Sequence, residues 1–275
     1  MIKIGAHLSI AGGHGRALDA SVEMGTNTLQ IFCASPKGWN FAKITDEEAT
    51  AFKEKATRLG VSPVYFHASY LVNLGDRDRI GALSTQLLAH ELKIASRMGI
   101  RGSIIHLGSY KDNGNQHATL VANITKVLEK IPEDVLFIIE NAGNRKIGLH
   151  IDEIAEVIKD VNDDRVRVCL DTCHLHAAGY DLKTTESFET FLADFDTKIG
   201  LNKLELFHVN DSRDPFGSLR DRHENLCEGS VGREVFTNIT HHKLTKDKAF
   251  IIEVPGFDGL GPDKRNIDIL KEISQ

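Results

Sequence analysis

Short apolar runs recur eight times along the chain, and an amphipathic segment follows each of them. Polar and apolar residues do not alternate within the runs, which is typical of parallel strands that are covered on both faces. The predicted strands are Ile2–Ala6, Thr28–Phe32, Val64–Phe66, Ser103–Ile105, Leu136–Ile139, Val166–Leu170, Leu204–Phe207 and Phe250–Ile252. This pattern predicts an α/β fold, a (β/α)8 TIM barrel, with a doubly wound open sheet as the alternative.

The segments between these runs carry the signals of helices. Thr45 and Glu48 form a capping box before a segment that ends at Gly60. The predicted helices are Arg16–Met24, Asp46–Leu59, Thr85–Met98, Ala118–Ile131, Ile151–Lys159, Ser187–Lys198, Arg233–His241 and Ile267–Ile273. No linker or low-complexity tract interrupts the repeat, and 275 residues suit one barrel, so we expect a single domain over residues 1–275.

Composition excludes some classes of protein. No apolar run approaches the roughly 18 residues that span a membrane, and the N-terminal stretch MIKIGAHLSIAGG lacks the basic start of a signal peptide. The four cysteines form no CxxC motif, which favours reduced thiols in a cytoplasmic protein. The formal net charge of −6 disfavours a nucleic-acid binder, unless divalent cations supply positive charge at the binding face.

A histidine or a carboxylate directly follows six consecutive predicted strands. These residues are His67, His106, Glu140, Asp171, His208 and Glu253. The carboxyl ends of parallel barrel strands converge on one mouth, where active sites lie. His174 follows Asp171 by three residues, and Asp221 and His223 stand two residues apart, so that they point the same way in an extended segment. The sequence therefore predicts nine metal-capable groups around one mouth.

Each of these residues has a simpler explanation when it is taken alone. A lone histidine after a strand is usually a hydrogen-bonded loop residue, and Asp171 could cap a helix. Four carboxylates in one mouth would nevertheless repel one another and resist desolvation without cations. Imidazole and carboxylate groups suit zinc, manganese or iron, and nine groups suit two or three ions of the kind that hydrolyse phosphate esters. Cys173 lies nearby, and we interpret it as a packing residue.

Several motifs, in their order along the chain, resemble the endonuclease IV family of apurinic/apyrimidinic endonucleases. They are GAHLSIAGG at 5–13, HASYLVNLG at 67–75, HLGS at 106–109, EN at 140–141, DTCH at 171–174, HVND at 208–211, DRHEN at 221–225 and EVP at 253–255. The resemblance implies a DNA-repair endonuclease that hydrolyses the phosphodiester 5′ to an abasic site in duplex DNA. The products would be a 3′-hydroxyl and a 5′-deoxyribose phosphate, and blocked 3′ ends would also be trimmed.

The resemblance also implies three metal ions, zinc in the well-known members with manganese as an alternative. His67 and His106 would hold the first ion, and Glu140, the candidate catalytic residue, would bridge it to the second. Asp171, His208 and Glu253 would complete the second site. The third site would consist of His174, Asp221 and His223. A hydroxide held by the first two ions would attack phosphorus, and the third ion would stabilise the leaving 3′-oxygen.

Four residues are implied to contact DNA. Tyr70 and Leu71 would wedge into the base stack and help to flip the abasic sugar, whereas the alternative is that they only pack a loop. Lys37 and Trp39 lie on the loop after the second strand, where the family has a basic residue near a tryptophan. The chain departs from the family pattern at Lys37, where Arg is more usual, at Gly38, at Val254, and at Cys227, where a glycine is expected.

Two other functions remain open from the residues alone. Glu140, Asp171, His208 and Glu253 would suffice for a single-metal sugar isomerase or epimerase of the related xylose isomerase-like barrel superfamily. A non-catalytic metal-binding or DNA-binding protein is the third hypothesis, although structural zinc sites are closed and four-coordinate. The additional groups at 67, 106, 221 and 223 favour the nuclease. No oligomer interface can be identified in the sequence, so a monomer is expected.

Overall fold

The strands of the chain confirm the barrel prediction. The computed structural model describes residues 2–110 and 116–275. Its strands are β1 (Lys3–Leu8), β2 (Thr28–Phe32), β3 (Val64–His67), β4 (Gly102–Ile105), β5 (Leu136–Glu140), β6 (Val166–Asp171), β7 (Leu204–His208), β8 (Asp211–Ser212), β9 (His223–Glu224) and β10 (Ala249–Ile252). Eight of them close a barrel in the order β1-β10-β7-β6-β5-β4-β3-β2, and their pairings are parallel. Because β1 pairs with both β2 and β10, the open-sheet alternative is wrong.

The helices lie where the sequence predicts them, with one addition. They are α1 (His14–Glu23), α2 (Asp46–Leu59), α3 (Arg79–Met98), α4 (His117–Leu128), α5 (Ile151–Val161), α6 (Thr172–Ala178), α7 (Thr185–Lys198), α8 (Arg233–His241) and α9 (Lys264–Ile273). Thr45 and Glu48 form the predicted capping box, and Gly60 ends α2 in the left-handed conformation. The unpredicted helix is α6, and α3 begins at Arg79 rather than at Thr85.

Side chains from alternate strand positions form two apolar clusters. The smaller cluster fills the inside of the barrel and consists of Tyr65, Ile104, Leu136, Ile138, Cys169, Leu206, Ala249 and Ile251. Neighbouring strand residues such as Phe66 and Phe207 belong to the larger cluster, which includes buried residues of the helices. This alternation follows from the two-residue period of a strand. It gives each strand an inward face that leads toward the mouth.

No helix in residues 2–110 and 116–275 is long and apolar enough to cross a membrane.

Candidate metal centre

Strand alternation brings the predicted groups together. His67, Glu140 and His208 each lie two residues after an inward-facing apolar residue, and the same spacing holds for His106, Asp171 and Glu253. Residues i and i+2 of a strand point to the same side. The six side chains therefore continue the inner face of the barrel at its carboxyl-terminal end. His67, His106 and Glu253 line an open cavity of about 1040 Å³ together with His174, Asp221 and His223. Glu140, Asp171 and His208 lie beneath this cavity.

Glu140 lies at the centre of the group. It is fully buried, and its Oε2 is 3.2 Å from Nε2 of both His67 and His106. Its other oxygen, Oε1, is 2.9 Å from Nδ1 of His208. One carboxylate thus faces imidazoles on two sides, as a group that bridges two ions would have to.

A second set of ligand atoms surrounds His208. Its Nδ1 lies 3.3 Å from Oε2 of Glu253 and 3.9 Å from Oδ2 of Asp171. Together with Glu140, these residues offer four ligand atoms within 4.8 Å of one another. Asp171 also caps α6, because its Oδ1 accepts a hydrogen bond from the backbone N–H of His174 at 3.0 Å. Its second oxygen, Oδ2, still faces His208 and His223, so capping and metal binding are compatible in this one carboxylate.

The third set depends on the loop between β8 and β9, which pair antiparallel and return the chain to the mouth. Oδ1 of Asp221 lies 3.0 Å from Nε2 of His174 and 3.4 Å from Nε2 of His223. Nε2 of His223 is also 3.7 Å from Oδ2 of Asp171. Cys173 is close to Asp221 and His223, but burial raises the pKa of its thiol, which disfavours the thiolate that a metal requires.

The segment after β9 is held by buried hydrogen bonds. The carboxylate of Asp211 accepts hydrogen bonds from the backbone N–H groups of Ser212, Cys227, Gly229 and Val231. Cys227 adopts the left-handed conformation with φ of 66°, so the loop does require a backbone that glycine would adopt more easily.

Backbone carbonyls orient three of the histidines. Nδ1 of His67 lies 2.8 Å from the carbonyl of Ala68, and Nδ1 of His174 lies 2.9 Å from that of Asn141. Nδ1 of His223 is 3.2 Å from the carbonyl of Glu253. A carbonyl only accepts hydrogen bonds, so in each ring Nδ1 carries a proton and Nε2 faces the carboxylates.

Several imidazole nitrogens have the environment that a cation would satisfy. Nδ1 of His106 and Nε2 of His174 and His223 are buried and make no hydrogen bond to any described residue. Nε2 of His174 is nevertheless only 3.0 Å from a carboxylate oxygen. Buried polar atoms without partners are unusual and costly. The donor set of imidazole nitrogens and carboxylate oxygens fits several divalent cations such as zinc or manganese.

The electrostatics of the mouth agree with this donor set. Burial raises the pKa of Glu140, but the opposite effect of His106, His208 and His67 is larger. The net pKa therefore lies well below its ordinary value. Burial lowers the pKa of His67, yet Glu140 and Glu253 raise it to about 9. In His106, burial dominates and lowers the pKa to about 4. Carboxylates are thus kept ionised where metal binding would displace protons from imidazoles.

The residues predicted to contact DNA lie beside the mouth. Tyr70 is 67% exposed, with its ring centroid 5.9 Å from that of His67, and Leu71 is 39% exposed. The hydroxyl of Ser69 donates to the carbonyl of Pro36 at 2.9 Å and accepts from the backbone N–H of Leu71 at 3.3 Å. This serine ties the loop of Tyr70 and Leu71 to the loop that carries Lys37 and Trp39. Lys37 is exposed, whereas Trp39 packs partly against the core.

Sequence reasoning missed the amides that support the predicted groups. Asn210 donates through Nδ2 to Oδ2 of Asp171 at 2.6 Å, and its Oδ1 accepts from the backbone N–H of Glu253 at 2.7 Å. Asn141 accepts from the backbone N–H of Asp171 at 2.7 Å. Asn141 directly follows Glu140, and Asn210 stands two residues after His208, so their position next to candidate ligands could have indicated a supporting role. Gln30 was missed inside the apolar run TLQIF, where a buried amide needs a partner.

Two histidines near the first strand have different roles. Nδ1 of His7 lies 2.8 Å from Oε1 of Glu253, so His7 contacts a candidate ligand. Nε2 of His14 bonds the carbonyl of Cys33 at 3.0 Å, which is a structural contact.

Comparison with known proteins gives matches over the whole chain. A family model described as a xylose isomerase-like TIM barrel matches residues 18–273. A probable endonuclease 4 of Halothermothrix orenii is 34% identical over 276 residues, which cover 98% of this chain and 99% of that protein. The crystal structure of endonuclease IV from Thermus thermophilus superposes with a TM-score of 0.88 at 30% identity, covering 98% of each chain.

Another structural neighbour carries a different activity in its name. A D-tagatose 3-epimerase-like protein superposes with a TM-score of 0.73 at 17% identity, covering 99% of this chain and 97% of the other. At this identity the likeness concerns the fold alone.

Proposed function

The chain belongs to the endonuclease IV family, and from this premise we propose that it hydrolyses the phosphodiester 5′ to abasic sites in duplex DNA, leaving a 3′-hydroxyl and a 5′-deoxyribose phosphate. It is an enzyme, a metal-dependent nuclease like its relatives. The observation that carries the proposal is the carboxylate of Glu140 between His67, His106 and His208. The same centre would remove blocking groups from 3′ ends, which are also phosphate esters.

The proposed centre takes three ions, zinc first and manganese as the alternative. His67 and His106 would hold one ion, Asp171, His208 and Glu253 the second, and Glu140 would bridge the two. His174, Asp221 and His223 would hold the third. Such ions supply a water of lowered pKa and positive charge for the phosphate and the leaving oxygen.

The protein residues have a positioning role in this reaction. The carbonyls of Ala68, Asn141 and Glu253 keep the rings of His67, His174 and His223 turned with Nε2 toward the mouth. Glu140 remains ionised despite its burial because imidazoles surround it. Fixed ligands of this kind need no rearrangement as charge develops on the phosphate. This preorganisation is the main source of electrostatic catalysis.

Tyr70 and Leu71 are the proposed wedge into the duplex. Their large side chains are exposed beside the cavity, Tyr70 at 67% and Leu71 at 39%, which supports a contact with a partner. Unstacking costs a few kcal/mol, and less where a base is already missing. Leu71→Ala should therefore reduce the preference for abasic over intact duplex roughly tenfold, at about 1.4 kcal/mol per decade.

The matched control for this wedge is Leu244→Ala. Leu244 is similarly exposed, at 45% against 39% for Leu71, but it precedes β10 and so lies at the opposite end of the barrel. Competition binding with abasic and intact duplexes measures the preference in both variants. Leu244→Ala should keep the wild-type preference for abasic over intact duplex. If Leu71→Ala keeps it as well, Leu71 only packs its loop.

The single-metal isomerase or epimerase is the competing function. The set of Glu140, Asp171, His208 and Glu253 would serve it, and the barrel fold is shared with an epimerase-like protein. Two further groups of ligand atoms, one around His67 and His106 and the other around His174 and His223, have no use in a one-metal site. They favour the nuclease.

Duplex DNA with abasic sites or blocked 3′ ends is the proposed partner, and we expect a monomer that works in the cytoplasm. The four cysteines are all free thiols, which suits a reducing compartment.

A duplex with one tetrahydrofuran abasic analogue, which cannot undergo β-elimination, tests the proposal. Zinc-loaded protein should cut it 5′ to the analogue and leave a 3′-hydroxyl, and chelator-stripped protein should not. Absence of cleavage by folded, metal-loaded protein would favour the isomerase, and a panel of ketoses would then be assayed.

A further inference from the structure

We propose that Gln30 is a positioning residue that determines which nitrogen of His208 binds metal. Gln30 lies on β2 and is completely buried. Its side-chain amide joins two candidate ligands at the ends of β10 and β7, with Nε2 at 2.5 Å from Oε1 of Glu253 and Oε1 at 2.7 Å from Nε2 of His208. The inference rests on the proposed metal centre, and Gln30 itself lies outside the motifs that resemble the family.

The chemistry of the partners fixes the orientation of this amide. An ionised carboxylate only accepts hydrogen bonds, so the NH₂ group of Gln30 must face Glu253. The reversed amide would place two oxygens 2.5 Å apart. The carbonyl oxygen of Gln30 then faces His208 and can only accept, so Nε2 of His208 carries a proton. Glu253 thereby sets the tautomer of His208 through one intervening amide.

The result is the reverse of what the backbone does for the other histidines. In His67, His174 and His223, a carbonyl holds the proton on Nδ1, and Nε2 faces the mouth. In His208, Gln30 holds the proton on Nε2. Nδ1 is the nitrogen that faces the carboxylates, 2.9 Å from Glu140 and 3.3 Å from Glu253.

This difference makes the contact accessible to mutation. A backbone carbonyl cannot be removed by substitution, whereas the amide of Gln30 can. Without it, His208 loses the acceptor that selects its tautomer, and Glu253 loses one donor while it keeps its contact with His7. Loss of such outer contacts typically lowers metal affinity about 10- to 100-fold. The loss should concern one ion, since His67, His106 and His174 do not contact Gln30.

The experiment compares Gln30→Met with Thr28→Val in the full chain. Methionine has a similar size and lacks the amide. Thr28 lies on the same strand, and its buried hydroxyl bonds the carbonyl of Pro63 at 2.5 Å, away from the mouth. In chelator competition, Gln30→Met should bind one zinc ion about 10- to 100-fold more weakly than wild type, the range typical for loss of such a contact. Thr28→Val should bind zinc with wild-type affinities. Equal zinc affinities in Gln30→Met and wild type would overturn the proposal.

A second measurement needs no variant and so remains valid if Gln30→Met does not fold. In zinc-loaded protein with ¹⁵N-labelled histidine, the ring-nitrogen shifts of His208 should show a protonated Nε2 and a zinc-bound Nδ1. A zinc-bound Nε2 would contradict the assignment. Neither measurement involves DNA cleavage, so a failure of the endonuclease proposal would be distinguished from a failure of this one.

Discussion

Glu140 and Glu91 are both buried carboxylates packed against the barrel strands, and their surroundings act on them in opposite directions. Glu140 ends β5 inside the mouth, where burial raises its pKa but His106, His208 and His67 bring the net pKa well below its ordinary value. Glu91 lies on α3, outside the barrel wall, and bonds the hydroxyl of Ser103 on β4 at 2.5 Å. Burial raises its pKa to about 7 against smaller opposing effects of Ser103 and His67.

The comparison teaches that burial alone does not decide the charge of a carboxylate. One hydroxyl is too weak a partner to keep Glu91 fully ionised at neutral pH, whereas several imidazoles keep Glu140 ionised even though it is fully buried. For Glu140, a charge retained in spite of complete burial, next to several imidazoles in the mouth, marks a candidate functional site.

The largest expected effect is that of Glu140→Gln. The amide keeps the shape of the side chain and removes the charge that would hold two ions together. Metal chemistry of this kind is worth several kcal/mol, so cleavage of the tetrahydrofuran duplex should fall at least about 1000-fold, with loss of bound zinc. Glu91→Gln is the matched control, because it makes the same substitution outside the mouth. Near-normal turnover by Glu140→Gln would remove the basis of the proposed centre.

The next effect concerns stability, with Glu91→Gln as the variant of interest. An unfolded glutamate has a pKa of about 4.3, and the folded pKa is about 7. Between these values the folded state holds a proton that the unfolded state has lost, so the free energy of unfolding decreases as the pH rises through this window. Glu91→Gln lacks this decrease. The unfolding free energy of the variant minus that of wild type should therefore increase by roughly 2–4 kcal/mol as the pH is raised from about 4 to about 8.

Urea denaturation of metal-free wild type and Glu91→Gln at both pH values measures this gain. The other histidines of the mouth are present in both proteins, so their contribution largely cancels, while the interaction of His67 with Glu91 is part of the measured difference. Parallel pH profiles would mean that Glu91 is ionised in the folded protein, and the contrast with Glu140 would disappear.

The smallest expected effect is that of Ser103→Ala. It removes the hydroxyl that lowers the pKa of Glu91, so that pKa should rise further. Loss of one buried hydrogen bond should cost about 1 kcal/mol of unfolding free energy at neutral pH. Nuclease activity should stay at the wild-type level, because Ser103 faces α3 while the metal-capable groups face the barrel interior. A large loss of activity would show that the wall and the mouth are coupled.

The barrel could be predicted because its evidence is local. Each buried strand is a short apolar run, and the residue that follows the run points into the mouth by strand geometry alone, as for Glu140 and His208. The seven residues of α6 are too few to give a clear periodicity. The first turns of α3 bury Gly81, Ser84 and Thr85, which an apolar pattern does not reveal.

The supporting contacts could not be predicted for a different reason. Gln30 reaches His208 across 178 positions and Glu253 across 223 positions, and no local pattern connects residues at such distances. The tautomers of the histidines depend on these contacts, so they too require the folded structure.

The pairing of β1 with β10 has a consequence for synthesis on the ribosome. Glu253 follows β10 directly and is held by His7 and Gln30 from the first two strands. A nascent polypeptide that has not yet reached this strand can neither close the barrel nor complete the set of groups around Glu140. The last of the candidate ligands is therefore in place only after almost the whole chain has been synthesised.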